Sequence, residues 1–595
     1  MSRKERFGGW FVVEDSLPED LFTPEDFTSE QRLIAQAAAD FLEGEIVPHD
    51  EQLEALDYKL TVELLRKSGE LGLLGGDVPE AYGGLGLDKG STTLLSETMS
   101  KASSFALSMG AHTGIGTLPI VFFGTPEQKR TYLPDLAAGT RIAAYCLTEP
   151  ASGSDALGAR TTAKLSADGK HYVLNGSKLY ITNGGFADLF IVYAKVDGSQ
   201  FTAFIVEKGT PGFTVGPEEK KMGIKGSSTC PLYFEDAPVP VANVLGEIGK
   251  GHRIAFNILN IGRFKLGAGC LGAAKETIAI AAAFANTREQ FGQKISSFPL
   301  IGAKLADMNL RTYAMESMVY RTAGLMDRLL AAEHIGEETP DAGVKAASAI
   351  GEYALECSIV KVFASETLDF VADEGVQIHG GAGYIREYKV ERIYRDARIN
   401  RIFEGTNEIN RLLIPGTLLK KAMKGELPLL EKAGALQAEL LQPMPLPEFQ
   451  QPLELEAYRI NQAKKIFLAI GGLAVQKLGT RLEQEQEVLC ALSDTMIQIY
   501  AMESALLRSL KLRARAGTGA AASELAQLMT EVLVQEGMER IESLAKLTAA
   551  ALEQGDGLQM QLSVLKKLVR APYIDTVARK RAIAARVIGS ERYIV

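Results

Sequence analysis

The sequence predicts a mainly α-helical protein with a β domain in its middle. Three observations lead there. Apolar residues recur at helical spacing on both sides of a stretch, about 142–247, whose period shortens to that of strands. At 595 residues the chain exceeds what one ordinary core organises, which points to roughly three to five domains. A proline-rich joint then separates a further helical block from the rest.

Residues 28–141 read as an N-terminal helical domain. Thr28-Ser29-Glu30-Gln31 opens a helix with cap-type residues, and the helical spacing runs on through Phe41-Leu42. The Gly-rich stretch Ala81–Gly86 is a loop, because no strand precedes it and its spacing does not fit a dinucleotide fingerprint. Residues 142–247 read as a compact β domain. Asn175-Gly176 is a hairpin-turn signal between β-prone runs, short apolar strands follow at 191–194 and 201–206, and Pro238 and Pro240 close the segment. Residues 248–415 return to helix. The i, i+4 pairs Glu352–Glu356 and Glu387–Glu391 are repulsive, so these helices must draw stability from buried faces. Residues 416–455 read as a linker containing Gln442-Pro443-Met444-Pro445-Leu446-Pro447, and 456–595 as an extra helical domain. Leu305-Ala306-Asp307, Tyr313-Ala314-Met315-Glu316-Ser317 and Arg321 recur 187 residues later as Leu492-Ser493-Asp494, Tyr500-Ala501-Met502-Glu503-Ser504 and Arg508. The extra domain therefore reads as a degenerate duplicate of the preceding bundle.

Composition narrows the function. The hydrophobic content of 46% and charged content of 23% are those of a globular protein. Net charge is -10, split as -13 over residues 1–415 and +3 from 416 onward, which speaks against a nucleic-acid channel in the main body. Five cysteines without a Cys-x-x-Cys pair fit a reducing cytoplasm, and six scattered histidines give no metal site. The start, Met1-Ser2-Arg3-Lys4, turns acidic by Glu14 with no apolar core behind it, unlike a secretory or transit peptide. No run reaches about 18 uncharged apolar residues, so no bilayer span is expected. Two tail features suit a peripheral membrane contact: the apolar decad 466–475 flanked by lysines, and seven basic groups against Asp575 alone in 566–586. Buried helix core and a basic dimer face are the plainer explanations and are preferred.

One stretch carries candidate chemistry. Arg401-Ile402-Phe403-Glu404-Gly405-Thr406-Asn407-Glu408 sets a carboxylate between an apolar pair and a Gly-Thr-Asn turn. Desolvation by that flank raises a carboxyl pKa and would make Glu404 a proton acceptor near neutral pH. A surface glutamate before a helix cap is the plainer alternative on these eight residues alone.

Four other segments accompany it in order: Tyr145-Cys146-Leu147-Thr148-Glu149-Pro150-Ala151-Ser152-Gly153-Ser154-Asp155, Leu179-Tyr180-Ile181-Thr182-Asn183-Gly184-Gly185, Arg288-Glu289-Gln290-Phe291-Gly292, and Gln377-Ile378-His379-Gly380-Gly381-Ala382-Gly383-Tyr384 with Arg395-Asp396. Together they resemble the acyl-CoA dehydrogenase family from about residue 28 to 415, and the added C-terminal part resembles its very-long-chain branch. The resemblance implies FAD, held in an N-terminal helical, middle β and C-terminal helical arrangement. It implies that Tyr145, Leu147, Thr148, Gly153, Ser154, Tyr180, Ile181 and Thr182 approach the cofactor, with Thr182 near N5 and Tyr180 against a ring face. Arg288, Gln290 and Phe291 would reach the pyrophosphate and adenine end of a neighbouring subunit's FAD, with Gln377, Gly380, Gly381, Thr406, Asn407 and Glu408 at the same cofactor. Glu404 would take the α-proton of an acyl-CoA thioester as the β-carbon passes hydride to N5. Ser154, Asn260, Arg263, Phe403 and Gly405 would contact substrate, Arg263 on the CoA nucleotide side. Some relatives carry the base at the position of Gly262, which offers no carboxylate here. Gly110, Gly114 and Gly116 would floor the acyl channel, with close helix packing as the alternative. The implied activity is conversion of long-chain fatty acyl-CoA to trans-2-enoyl-CoA in fatty acid β-oxidation by a cytoplasmic homodimer. Its electrons would pass to an electron-transferring flavoprotein. An acyl-CoA oxidase and a non-catalytic flavin-bearing scaffold are the rival readings.

Overall fold

The computed structural model describes residues 7–333, 339, 341–516 and 520–595. The opening Met1-Ser2-Arg3-Lys4 lies outside the described residues. The N-terminal helical domain comprises α1 (Ser29–Phe41), α2 (Asp50–Glu54), α3 (Tyr58–Glu70), α4 (Lys89–Met99), α5 (Ser103–Ala111), α6 (Leu118–Phe123) and α7 (Pro126–Ala137). Thr28 caps α1 as its sequence predicts: its hydroxyl accepts from the Gln31 N–H, and the Gln31 side chain accepts from the Thr28 N–H.

The β domain comprises β1 (Ala143–Cys146), β2 (Thr162–Leu165), β3 (His171–Thr182), β4 (Leu189–Val196), β5 (Gln200–Glu207), β6 (Phe213–Val215), β7 (Thr229–Pro240) and β8 (Val244–Leu245). The strands run in the order β6-β7-β3-β2-β4-β5-β8, with β1 parallel to β4. Asn175-Gly176 is not a turn here. It lies inside β3, where the pairing with β7 shifts register between Leu174 and Gly176. The Asn175 side chain pairs with Asp236 across the sheet, and Gly176, at φ 146°, passes so close to Thr161 that a Cβ would lie 2.6 Å from its Oγ1. A partner strand sixty residues away converts a turn signal into a bulge. Pro238 and Pro240 lie at the end of β7, opposite Val173 and His171, and Pro240 is its last residue.

The second helical region begins with α8 (Gly251–Thr287), then a small hairpin of β9 (Glu289–Gln290) and β10 (Gln293–Lys294), and continues through α9 (Pro299–Ala332), α10 (Ala342–Gly351), α11 (Ala354–His379), α12 (Lys389–Ala397) and α13 (Asn407–Met423). The stretch expected as a linker is partly helical: α13 runs on to Met423 and α14 fills Leu429–Leu440, because Leu418, Ala422 and Leu436 are buried. The irregular joint is left to 441–453. Beyond it come α15 (Glu454–Leu478), α16 (Gln486–Ala516), α17 (Ala521–Leu552), α18 (Gly555–Leu568) and α19 (Thr576–Ser590). The helical stretches 89–123 and 251–287 are long and apolar enough to cross a membrane by length and composition, but more than half of each apolar window is buried inside the protein.

The repeated segments face one another. Arg321 of α9 bonds Glu503 and Ser504 of α16, and Arg508 of α16 bonds Glu316 and Ser317 of α9. Each guanidinium lies over the other copy's tyrosine, Arg321 at 4.5 Å from Tyr500 and Arg508 at 5.0 Å from Tyr313. The Tyr500 hydroxyl meets Thr322, and that of Tyr313 meets Ser509, at positions 187 residues apart. The segment before residue 28, which the sequence left unassigned, is wedged alongside: Phe11 packs on Tyr500, Glu25 pairs with Arg508 and Asp26 with Lys511.

Candidate active site

Glu404 stands in the loop between the 3-10 turn Arg398–Arg401 and α13, whose first turn is capped by the Thr406 hydroxyl accepting from the Ile409 N–H. Glu404 has φ 57° and Gly405 φ 79°. The left-handed conformation costs a non-glycine residue about 1–2 kcal/mol, so surrounding contacts must fix it. Arg263 Nε donates to the Glu404 carbonyl at 3.2 Å. Lys361 Nζ donates to the Gly405 carbonyl and to Asn407 Oδ1, both at 2.7 Å. Asn410 Nδ2 donates to the Gly405 and Thr406 carbonyls at 2.8 and 3.0 Å. Arg411 then ties α13 to Glu366 on α11 and to Asp494 on α16.

The Glu404 side chain is placed by an absence of bulk. A Cβ on Gly262 of α8 would sit 2.5 Å from Glu404 Oε2, so the carboxylate rests directly over that glycine. Oε2 is buried with no hydrogen-bond donor. Burial raises the carboxyl from its ordinary 4.5 to about 7, against the opposing pull of the Arg263 and Lys361 charges. A desolvated carboxylate that is half ionised near neutrality is suited to abstracting a proton from carbon.

Glu404 opens onto a cavity of about 1570 Å³ lined by the N-terminal helical domain, the β domain and the second helical region. Of the residues expected at cofactor and substrate, Tyr145, Leu147, Thr148, Gly153, Ser154, Tyr180, Ile181, Thr182, Asn260, Arg263, Phe403, Gly405 and Thr406 line it. Tyr180 has φ 58°, sits where the β3–β7 register breaks between Lys178 and Ile181, and is 61% exposed. The break turns an aromatic face outward into the cavity, with the Thr148 and Thr182 residues beside it. The 148–155 loop is braced from behind by Glu149. Its carboxylate accepts from the Lys178 ammonium at 2.7 Å and from the Thr161 N–H at 3.1 Å.

Gly110 and Gly114 line the cavity too. A Cβ on Gly110 would meet nothing within 4 Å, and one on Gly114 only Lys265 Cδ at 3.6 Å. Gly116 differs, since a Cβ there would come within 2.9 Å of Ala143 Cβ. Two of the three glycines leave open channel and the third allows helix to approach strand.

Other expected residues fall elsewhere. Asn407 is 1% exposed and engaged with Lys361, Ser365 and Glu366, so its side chain holds the loop and does not line the cavity. Arg263, expected on the CoA nucleotide side, does line the cavity, with its guanidinium held by the Glu404 carbonyl and Asn260 Oδ1. Glu408 is exposed on the first turn of α13, outside the cavity lining. Arg288, Gln290, Phe291, Gln377, Gly380 and Gly381 are also outside it and exposed. They share one end of the molecule, where Phe284 of α8 stacks on His379 of α11 at 4.1 Å, and Phe291 is 93% exposed at the hairpin tip. The sequence reading missed Lys361, Asn410, Glu149 and the role of Gly262. Lys361, Gly262 and Glu149 act through contacts distant in the chain, whereas Asn410 bonds the carbonyls four and five residues before it, inside its own helix start.

An exposed aromatic face, hydroxyl residues around it and a cavity larger than the roughly 300–1,000 Å³ of single small-ligand sites fit a flat dinucleotide lying beside an acyl chain. Comparison with known proteins agrees. Family models described as the acyl-CoA dehydrogenase N-terminal, middle and C-terminal domains match residues 28–140, 144–237 and 249–419, and a second C-terminal-domain model matches 462–567. A "Probable acyl-CoA dehydrogenase" of Bacillus subtilis (strain 168) is 56% identical over 588 residues, covering 99% of this chain and 98% of that protein. The mitochondrial very long-chain specific acyl-CoA dehydrogenase of Homo sapiens is 39% identical over 475 residues, 74% of this chain and 68% of that one. A crystal structure of an acyl-CoA dehydrogenase complexed with FAD from Bacillus anthracis superimposes with a TM-score of 0.97 at 56% identity, covering 99% of this chain and 100% of the other. This chain, an FAD-dependent oxidoreductase, therefore belongs to the acyl-CoA dehydrogenase family.

Proposed function

We propose that this enzyme converts long-chain fatty acyl-CoA to trans-2-enoyl-CoA in fatty acid β-oxidation, with Glu404 as the base and an electron-transferring flavoprotein as acceptor. The observation that carries this reading is the desolvated Glu404 carboxylate facing the Tyr180–Thr182 surface across one cavity. Bound FAD supplies the acceptor for the β-hydride. The protein's own part is to hold the thioester α-carbon against Glu404, to accept its proton on the carboxylate and to keep water away. The open channel at Gly110 and Gly114 supports a long acyl chain, as does the likeness to the very long-chain specific human enzyme.

We read the exposed end around Phe291 and Gly380 as a face completed by a second copy, which supports a homodimer. In the apolar decad 466–475 of α15, Ile466, Phe467, Ile470 and Leu473 are buried, which favours a core role for it over a membrane contact. Of the basic groups in 566–586, Arg579 pairs with Glu531, Lys580 with Asp307 and Glu536, and Arg586 with Glu524. These neutralised pairs favour a structural role for that face. Anaerobic titration with saturated acyl-CoAs of increasing length tests the whole reading: flavin bleaching should be greatest for long chains and vanish in Glu404→Gln. Peroxide formed at the rate of turnover under air would favour an oxidase.

A further inference from the structure

The loop that presents Glu404 is gripped by an ammonium group that belongs to neither the loop nor the cavity wall. Lys361 lies on α11, 43 residues upstream, and its side chain is wholly buried. One N–H reaches the Gly405 carbonyl and another reaches Asn407 Oδ1. Arg263 holds the carbonyl one residue earlier. The peptide planes on both sides of Gly405 are therefore fixed by cations from two different helices, α8 and α11. Fixing both planes sets the torsions of Gly405 and, through the peptide it shares with Glu404, the direction in which the carboxylate leaves the backbone. Asn407 closes the arrangement by donating to Ser365 and Glu366, one turn along α11 from Lys361.

The structure assigns Lys361 as a positioning residue for catalysis: its buried ammonium locks the Glu404–Gly405 turn so that the base stands over Gly262. The assignment rests on Glu404 being the base. A packing lysine would need only its stem to be covered. This one directs hydrogen bonds at two atoms of the catalytic turn while its charge sits beside the carboxylate. The ionisable groups around it are Cys270 and Arg263 from α8, Glu404 from the loop and Glu408 from α13.

The test compares Lys361→Met and Lys361→Gln with wild type as flavin-loaded enzymes, over pH 5.5–9 and with one long-chain acyl-CoA. Met removes charge and hydrogen bonds, whereas Gln removes the charge and keeps a donor. Loss of alignment by an ångström can cost about 100-fold in rate, so Lys361→Met should lower kcat by roughly that factor with KM changed less than threefold. Lys361→Gln should recover at least tenfold of the loss. Both should move the acid limb of the kcat profile to higher pH, since each removes a cation that favours the carboxylate. Equal slowing of both variants with an unmoved acid limb would reduce Lys361 to packing and overturn the assignment, as would kcat within twofold of wild type in Lys361→Met. Glu404→Gln run alongside keeps the two ideas separable, because bleaching retained there would refute the base itself.

Discussion

Replacing Gly262 by alanine should separate stability from catalysis. The added methyl would lie 2.5 Å from Glu404 Oε2 and 2.9 Å from its Cδ, while ordinary contact begins near 3.4 Å. The carboxylate must therefore withdraw by about 0.9 Å. Its backbone cannot follow freely, because Arg263, Lys361 and Asn410 hold the turn, so the displacement falls on the side-chain torsions. A misplacement of about 1 Å at a reacting group can cost about 100-fold in rate, and that is the expected loss in kcat. Fold stability should move the other way. The atom in the way is the far end of a side chain, and alanine in a helix interior is favoured over glycine by roughly 0.5–1 kcal/mol. Rapid mixing with a long-chain acyl-CoA under anaerobic conditions, followed at the flavin absorbance, measures the first quantity, and thermal unfolding of the loaded protein measures the second. Bleaching within threefold of wild type, or a melting temperature several degrees lower, would refute the placement of the carboxylate over this glycine.

Glu404→Gln should gain stability over wild type at pH 8 but not at pH 5. Burial lifts the folded carboxyl to about 7 against 4.5 unfolded, so the native state keeps a proton that the unfolded chain releases. That contribution is full below pH 4.5 and lost by the time pH passes 7, whereas glutamine never ionises. Equal melting-temperature differences at the two pH values would contradict the raised pKa. The same value puts the acid limb of wild-type kcat/KM near pH 7, and a limb below pH 5.5 would count against it. Gly110→Leu should cut kcat/KM for the longest acyl-CoAs by tenfold or more and spare short ones, since the new side chain projects where nothing now lies within 4 Å. An unchanged chain-length profile would remove Gly110 from the channel. Arg508→Met strips a buried cation from Glu316 and Glu25 and should destabilise by about 3–5 kcal/mol, seen as a lower melting temperature. A loss under about 1 kcal/mol would show that the pairing is dispensable.

Local chemistry was legible wherever neighbours in sequence are neighbours in space. The Thr28–Gln31 cap, the helical and strand periods and the apolar flank of Glu404 all belong to that class. Asn175-Gly176 misled because β7 decides what that dipeptide does, and β7 lies far along the chain. The family resemblance sets Asn407 and Arg263 at ligands, but the Asn407 side chain is engaged by Lys361, Ser365 and Glu366 of α11, and Arg263, while lining the cavity, also holds the Glu404 carbonyl. Lys361 was invisible: nothing in Ile359-Val360-Lys361-Val362 hints that its ammonium ends at residue 405. The 187-residue echo gave the kinship of α9 and α16, while the cross-wise pairing of their arginines needed coordinates.

That cross-wise pairing has a bearing on how the molecule behaves when scarce. Two separate polypeptides meeting through such a face would drift apart on dilution, and their contact would rise and fall with expression level. Here the joint at 441–453 keeps both halves on one string, so each finds its counterpart at a concentration set by tether length and not by the cell. The polar seam between α9 and α16 is therefore as intact in a single molecule as in a crowd.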